Sequence, residues 1–214
     1  MLRALSFLLT VLFHPLLMAT YGCALLMFGL KDSVYDFLTP YPVKWRMTLL
    51  VFMMSFLLPI LNIYLLYKLR RIPSFLLSNR DERGFPYLIT SLFYFGLVYL
   101  LLEINIWNTL KLFLFGAGIA IVATALINLR YKISAHMVGL GGLLGVLISV
   151  SWLLKIDLTP LYIAVILISG AVASARLYLG EHGYGELLSG FGLGLMVQST
   201  LFFTLRQISF HYIL

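Results

Sequence analysis

Residues 175–190 read ARLYLGEHGYGELLSG, and within them Arg176, His182 and Glu186 form the pattern Arg-x5-His-x3-Glu between two long apolar runs. Ionised groups beside hydrocarbon cost several kcal/mol each unless they find partners, so a cluster here needs a reason. Arg176 offers a planar guanidinium fork that matches phosphate oxygens. His182 is a nucleophile or proton carrier near neutral pH. Glu186, four residues on, reaches the imidazole and fixes its tautomer if the backbone there is helical. The plainer alternative is a charged loop that anchors a helix end at the membrane surface.

Composition sets the solvent. The chain has 214 residues, 62% hydrophobic and 11% charged, with a mean hydropathy of +1.01. Soluble domains carry about 25% charged residues. This is the composition of an integral membrane protein with one bilayer-embedded domain. The net charge of +7 implies basic loops against anionic headgroups or cytoplasm, not a nucleic-acid partner. The single cysteine, Cys23, forms no intramolecular disulfide. Four dispersed histidines and no cysteine pair give no metal-ligand cluster, so no metal and no cofactor are expected.

Outward from the central stretch, apolar runs mark seven spans, an all-α polytopic bundle. They are Leu5 to Leu30, Met47 to Tyr67, Tyr87 to Leu102, Trp107 to Leu129, Met137 to Leu154, Leu161 to Leu179 and Leu187 to Leu205. The first exceeds the roughly 7–15 apolar residues of a signal peptide and is read as a membrane helix kinked or interrupted at His14-Pro15. His14 is expected to be satisfied by backbone freed at that kink. Lys31 to Arg46 reads as a polar loop, Lys68 to Pro86 as the longest polar stretch, and residues 206–214 as a short tail. Gly139, Gly141, Gly142 and Gly145 on one span, and Gly190, Gly192 and Gly194 on another, form small-residue faces that let helices approach closely.

Each span reverses the side of the membrane. The polar stretches at 68–86, 130–136 and 176–186 are two spans apart and therefore share a face. Basic groups at helix ends are ordinary, and they account for Lys68, Arg70 and Arg71. They account less well for His136 and His182, because histidine is not an orientation signal. The convergence points to a site for an anion at headgroup level.

Here the chain resembles a known family. Its stretches are similar to those of the membrane type 2 phosphatidic acid phosphatases, lipid phosphatases whose motifs are Lys-x6-Arg-Pro, Pro-Ser-Gly-His and Ser-Arg-x5-His-x3-Asp. The third appears as Ala175-Arg176-x5-His182-x3-Glu186, and the second as Ile133-Ser134-Ala135-His136 within YKISAHMVG. The first is degraded to NRDERGFP, residues 79–86. Ala175, Ala135 and Glu186 stand where the family has Ser, Gly and Asp. The resemblance covers residues 47–205 as a six-helix core, leaving residues 1–46 as an additional helix and loop.

The resemblance implies a chemistry. His182 would attack phosphorus and form a phosphohistidine, with Glu186 holding the far ring nitrogen. His136 would protonate the leaving alkoxide and then activate water. Arg176, Lys132, Ser134 and Arg83 or Arg80 would bind the phosphate and balance its developing charge. The substrate would be a lipid phosphate or isoprenoid diphosphate. The alternative is a catalytically silent lipid-phosphate binding or transport protein of the same fold. The motif face holds Arg3, Lys68, Arg70, Arg71, Arg80, Arg83, Arg130, Lys132 and Arg176, against Lys31, Lys44, Arg46, Lys111, Lys155 and Arg206 opposite. Setting aside the cations that would bind phosphate removes the apparent cytoplasmic bias. The family's usual placement then implies a bacterial inner membrane with the site facing the periplasm.

Overall fold

The computed structural model describes residues 1–30, 33–75, 82–104 and 106–209, and for residues 34, 35 and 205–209 the backbone alone. The described residues contain ten α-helices and no strand. They are α1 (Leu2–Leu12), α2 (Met18–Phe28), α3 (Val34–Leu38), α4 (Tyr41–Phe52), α5 (Leu58–Lys68), α6 (Gly84–Leu102), α7 (Asn108–Asn128), α8 (Ala135–Leu154), α9 (Thr159–Tyr178) and α10 (Tyr184–Ser209). Among the described residues seven helical units are long and apolar enough to cross a membrane, α1–α2 and α4–α5 each counting as one.

Proline explains both interruptions. In the first unit His14 and Pro15 break the helix into α1 and α2, joined by a 3-10 turn at Pro15–Leu17. In the second, a π-turn at Met53–Leu57 precedes Pro59. A proline ring clashes with the carbonyl four residues back and donates no amide hydrogen, and widening the preceding turn relieves both.

Two boundaries differ from the sequence reading. Residues 31–46 are not simply a loop. Ser33 caps α3 by accepting the Asp36 amide at 3.2 Å, and α4 begins at Tyr41 rather than near Met47. Pro42 sits in the first turn of α4, where its missing amide hydrogen costs nothing. Asp36 and Lys44 then form an ion pair that ties α3 to α4. At the other end, α10 runs to Ser209, into the expected tail.

Two small-residue faces meet at the centre of the bundle. A Cβ on Gly194 would lie 1.9 Å from the Val138 carbonyl oxygen, and one on Gly141 would lie 2.0 Å from that of Phe191. Gly145 and Gly190 are similarly close to the Leu195 and Ser134 carbonyls, at 2.8 and 2.6 Å. The backbones of α8 and α10 therefore touch, as small residues permit inside a bilayer. Gly139 instead receives the Met18 side chain, and Gly192 has open space around it. The main core then gathers Cys23, Leu26 and Met27 of α2 with Leu97, Leu101, Leu110, Leu114, Leu147 and Val150.

Candidate functional site

The close pairing of α8 and α10 sets the site, because it brings their first turns together. The Ser134 amide donates to the Glu186 carbonyl at 3.1 Å. Asn128 accepts the Ile133 amide through Oδ1 at 3.2 Å, which fixes the connection from α7 into α8. His136 in the first turn of α8 and Glu186 in the first turn of α10 thus have backbones in register before any side chain is placed.

The path from Arg176 to His182 is set by the end of α9. Gly180 has φ +68°, a left-handed conformation that costs other residues roughly 1–2 kcal/mol. Its amide donates to the Leu177 carbonyl at 3.0 Å and the Glu181 amide to the Arg176 carbonyl at 3.1 Å. Those two bonds are the Schellman closure of a helix end. The turn returns Glu181 over the last turn of α9. Its carboxylate lies 3.6 Å from Arg176 Nη2, and its carbonyl accepts Lys132 Nζ at 2.6 Å.

His182 follows, outside any helix, with its ring buried. The sequence reading required helical backbone for Glu186 to reach it, and the structure uses a different device. Glu186 is the third residue of α10, and its Oε2 accepts the Gly183 amide at 3.4 Å. That is half of a capping box, in which a first-turn carboxylate turns back onto the residue before the helix. The same oxygen accepts His182 Nδ1–H at 2.6 Å. Nδ1 therefore carries the proton, and Nε2 keeps its lone pair.

The surroundings keep His182 neutral. Burial pushes its pKa down from 6.5 to about 4, Glu186 opposes the shift, and the charges of Arg176, Lys132 and Arg83 add to it. Three cations, Arg176, Lys132 and Arg83, lie within electrostatic range of the imidazole, against the two carboxylates of Glu181 and Glu186.

Two donors in this region have no hydrogen-bond partner among the described residues. Ser134 begins α8 and is fully buried, yet its hydroxyl makes no cap. Serine at that position usually accepts an amide from the first turn. Ser134 Oγ and Arg176 Nε are both buried without a hydrogen-bond partner among the described residues. Buried donors left unpaired cost about 1–3 kcal/mol each, so both call for an acceptor that the described residues do not supply.

His136 is buried beside them. Its Nε2 hydrogen is donated to the Thr10 carbonyl at 3.2 Å, which leaves Nδ1 for chemistry. Arg176 and His182 lie within electrostatic range of it. The T-shaped contact of its ring with His14, 5.8 Å between centroids, was not foreseen from sequence. The run Leu5 to Leu30 looks continuous, which puts His14 deep in a membrane helix. In the structure α2 starts beside the first turns of α8, with Met18 against Gly139, and its residues Cys23, Leu26 and Met27 join the core cluster that also holds Leu101 and Val150. The break at His14 therefore lies at the level of the site. Counting about 20 residues back from Leu30, the length of one crossing, was the signal available.

Of the sequence-derived site residues, the structure gathers His182, Glu186, Arg176, Lys132, Ser134, His136 and Arg83 within one region. Arg80 lies outside the described residues. Among the described residues no three His, Cys, Asp or Glu side chains gather as metal ligands. No family model, curated protein or solved structure matches this chain.

Proposed function

We propose that this membrane protein is a lipid phosphate or isoprenoid diphosphate phosphatase that works through a phosphohistidine. The observation that carries the reading is the 2.6 Å bond from His182 Nδ1 to Glu186. It leaves an unprotonated Nε2 in a pocket of three cations and unpaired donors. Nε2 attacks phosphorus, the bond from phosphorus to the lipid oxygen breaks, and the departing oxygen takes a proton from Nδ1 of a His136 imidazolium, the ring having entered the step with a second proton besides the Nε2–H held by Thr10. In the second step His136 Nδ1 removes a proton from water, the hydroxide oxygen bonds to phosphorus, and the P–N bond breaks. Arg176, Lys132, Arg83 and Ser134 balance charge on the phosphoryl oxygens throughout.

The test is acid-labile, alkali-stable labelling of purified protein after exposure to a phosphorus-labelled lipid phosphate. The label is expected in the wild type and absent in His182→Ala. Undiminished turnover in that variant ends the proposal. We propose that the site faces the periplasm from a bacterial inner membrane, a reading that rests on the family resemblance and that the cation balance no longer opposes once phosphate ligands are set aside. Activity in vesicles of known sidedness tests that placement.

One observation favours a binding role without turnover. Glu181 already engages both Lys132 and Arg176, as in a site that trades an internal acceptor for a bound anion. Saturable lipid-phosphate binding with no phosphoryl label would decide for that reading.

A further inference from the structure

We propose that His14 is a further substrate-binding residue, donating its Nε2–H to an oxygen of a bound phosphoryl group. The inference rests on the anion-binding part of the reading above, not on hydrolysis. Three observations lead to it. The Leu16 amide donates to His14 Nδ1 at 3.3 Å and so caps the 3-10 turn. A ring nitrogen that accepts carries no proton in the neutral imidazole, so the proton sits on Nε2. The Nε2–H has no acceptor among the described residues, although the ring is half-buried.

The second observation is its company. His14 contacts the His136 ring edge-on and lies within electrostatic range of Arg176. Ser134 Oγ and Arg176 Nε, both buried without a hydrogen-bond partner among the described residues, belong to the same region, and the more open His14 Nε2–H adds a donor to them. A phosphoryl group presents several acceptor oxygens and negative charge, which neutral acceptors such as water or carbonyls do not match in this field.

The third is the assembly of α1 and α2. Thr10, just before the break, holds His136 Nε2 through its carbonyl. Just after it, the Leu16 amide holds His14 Nδ1. A single proline-broken segment thus sets the tautomers of two neighbouring histidines, leaving one with a free donor and the other with a free Nδ1.

Binding is measured on the full chain in lipid bicelles, so no turnover is needed. The probes are dodecylphosphonate and inorganic phosphate, which separate a lipid headgroup from free phosphate as the source of the anion. Three variants separate the roles of the ring. His14→Gln places an amide donor near Nε2 and loses the cap. His14→Asn keeps an acceptor for Leu16 and loses the distal donor. His14→Phe keeps the aromatic contact with His136 and loses both.

For whichever probe binds more tightly, Asn and Phe are expected to weaken binding roughly 10- to 100-fold, the size of a lost hydrogen bond to a charged group. Gln is expected to stay within about threefold of wild type. If Phe binds like wild type, or Asn recovers while Gln does not, His14 serves packing or capping and the inference is overturned alone. If the wild type binds neither probe, the inference falls together with the anion-site reading. Binding with the expected ranking but no phosphoryl label upholds His14 and removes hydrolysis only.

Discussion

His182 and Glu186 are joined through Nδ1 and Oε2 at 2.6 Å, although His182 precedes α10 and Glu186 lies within its first turn. One carboxylate oxygen thus closes a helix start and orients an imidazole. Glu186→Gln keeps an acceptor for Nδ1–H but loses the charge. It is expected to slow phosphohistidine formation about 10- to 100-fold, the range of a charge-assisted bond, with the helix retained by circular dichroism. Glu186→Asp keeps the charge and is expected to label faster than Gln. Equal loss in both would make side-chain length, not charge, the deciding property.

Acid should reach this site late. The His182 pKa is held down from 6.5 to about 4, chiefly by burial. With nitrophenyl phosphate, whose leaving group scarcely needs the His136 proton, phosphohistidine formation should therefore persist through pH 6 and fall as pH approaches 4, where Nε2 gains a proton. The same shift affects stability. The unfolded chain binds this proton more readily than the folded one between 6.5 and about 4, so its contribution is complete above 6.5 and erodes as pH falls through that window. Loss of labelling with a midpoint near 6.5 would contradict the assignment.

The contact of α8 with α10 makes the glycines unequal. Gly194→Ala places a methyl 1.9 Å from the Val138 carbonyl, whereas Gly192→Ala meets nothing within 4 Å. The first is expected to cost at least about 1–3 kcal/mol and to separate His136 from Glu186. The second should leave stability within about 1 kcal/mol. Thermal unfolding in detergent measures both, and equal midpoints would show that the helices do not touch as described.

His136 and His182 can be separated by the leaving group. A lipid alkoxide needs a proton to depart, and a nitrophenolate scarcely does. His136→Ala should depress the first phosphoryl transfer about 100- to 10,000-fold with an alkyl phosphate and only mildly with nitrophenyl phosphate. His182→Ala should abolish both, because no leaving group replaces a nucleophile. The reading must come from rapid quench, since His136 acts again on water. Equal losses with both substrates would reassign His136 to binding or support.

Much of this was legible from residue order, because a bilayer permits few solutions. Every backbone polar group in hydrocarbon must be bonded within the protein, so long apolar runs become helices, and their ends and turns carry the charge. That argument alone gives seven apolar units, puts the polar stretches at 130–136 and 176–186 on one face, and marks Gly141, Gly145, Gly190 and Gly194 as close contacts, though it marks Gly192 as well, which meets nothing within 4 Å. It also gives Arg176, His182 and Glu186 as a group, since their spacing is local. What residue order does not contain is which backbones touch and where a broken helix stands. The capping of α10 by Glu186 replaced a helical pairing, because the turn at Gly180 ends α9 before His182. Thr10 and His14 reach His136 from more than a hundred positions away, |i−j| being 126 for Thr10. Only the packing of α2 beside α8, set by Met18 against Gly139, decides that the break at Pro15 lies at the site. Contacts between distant segments depend on shape complementarity of whole faces, and a linear pattern carries no record of that.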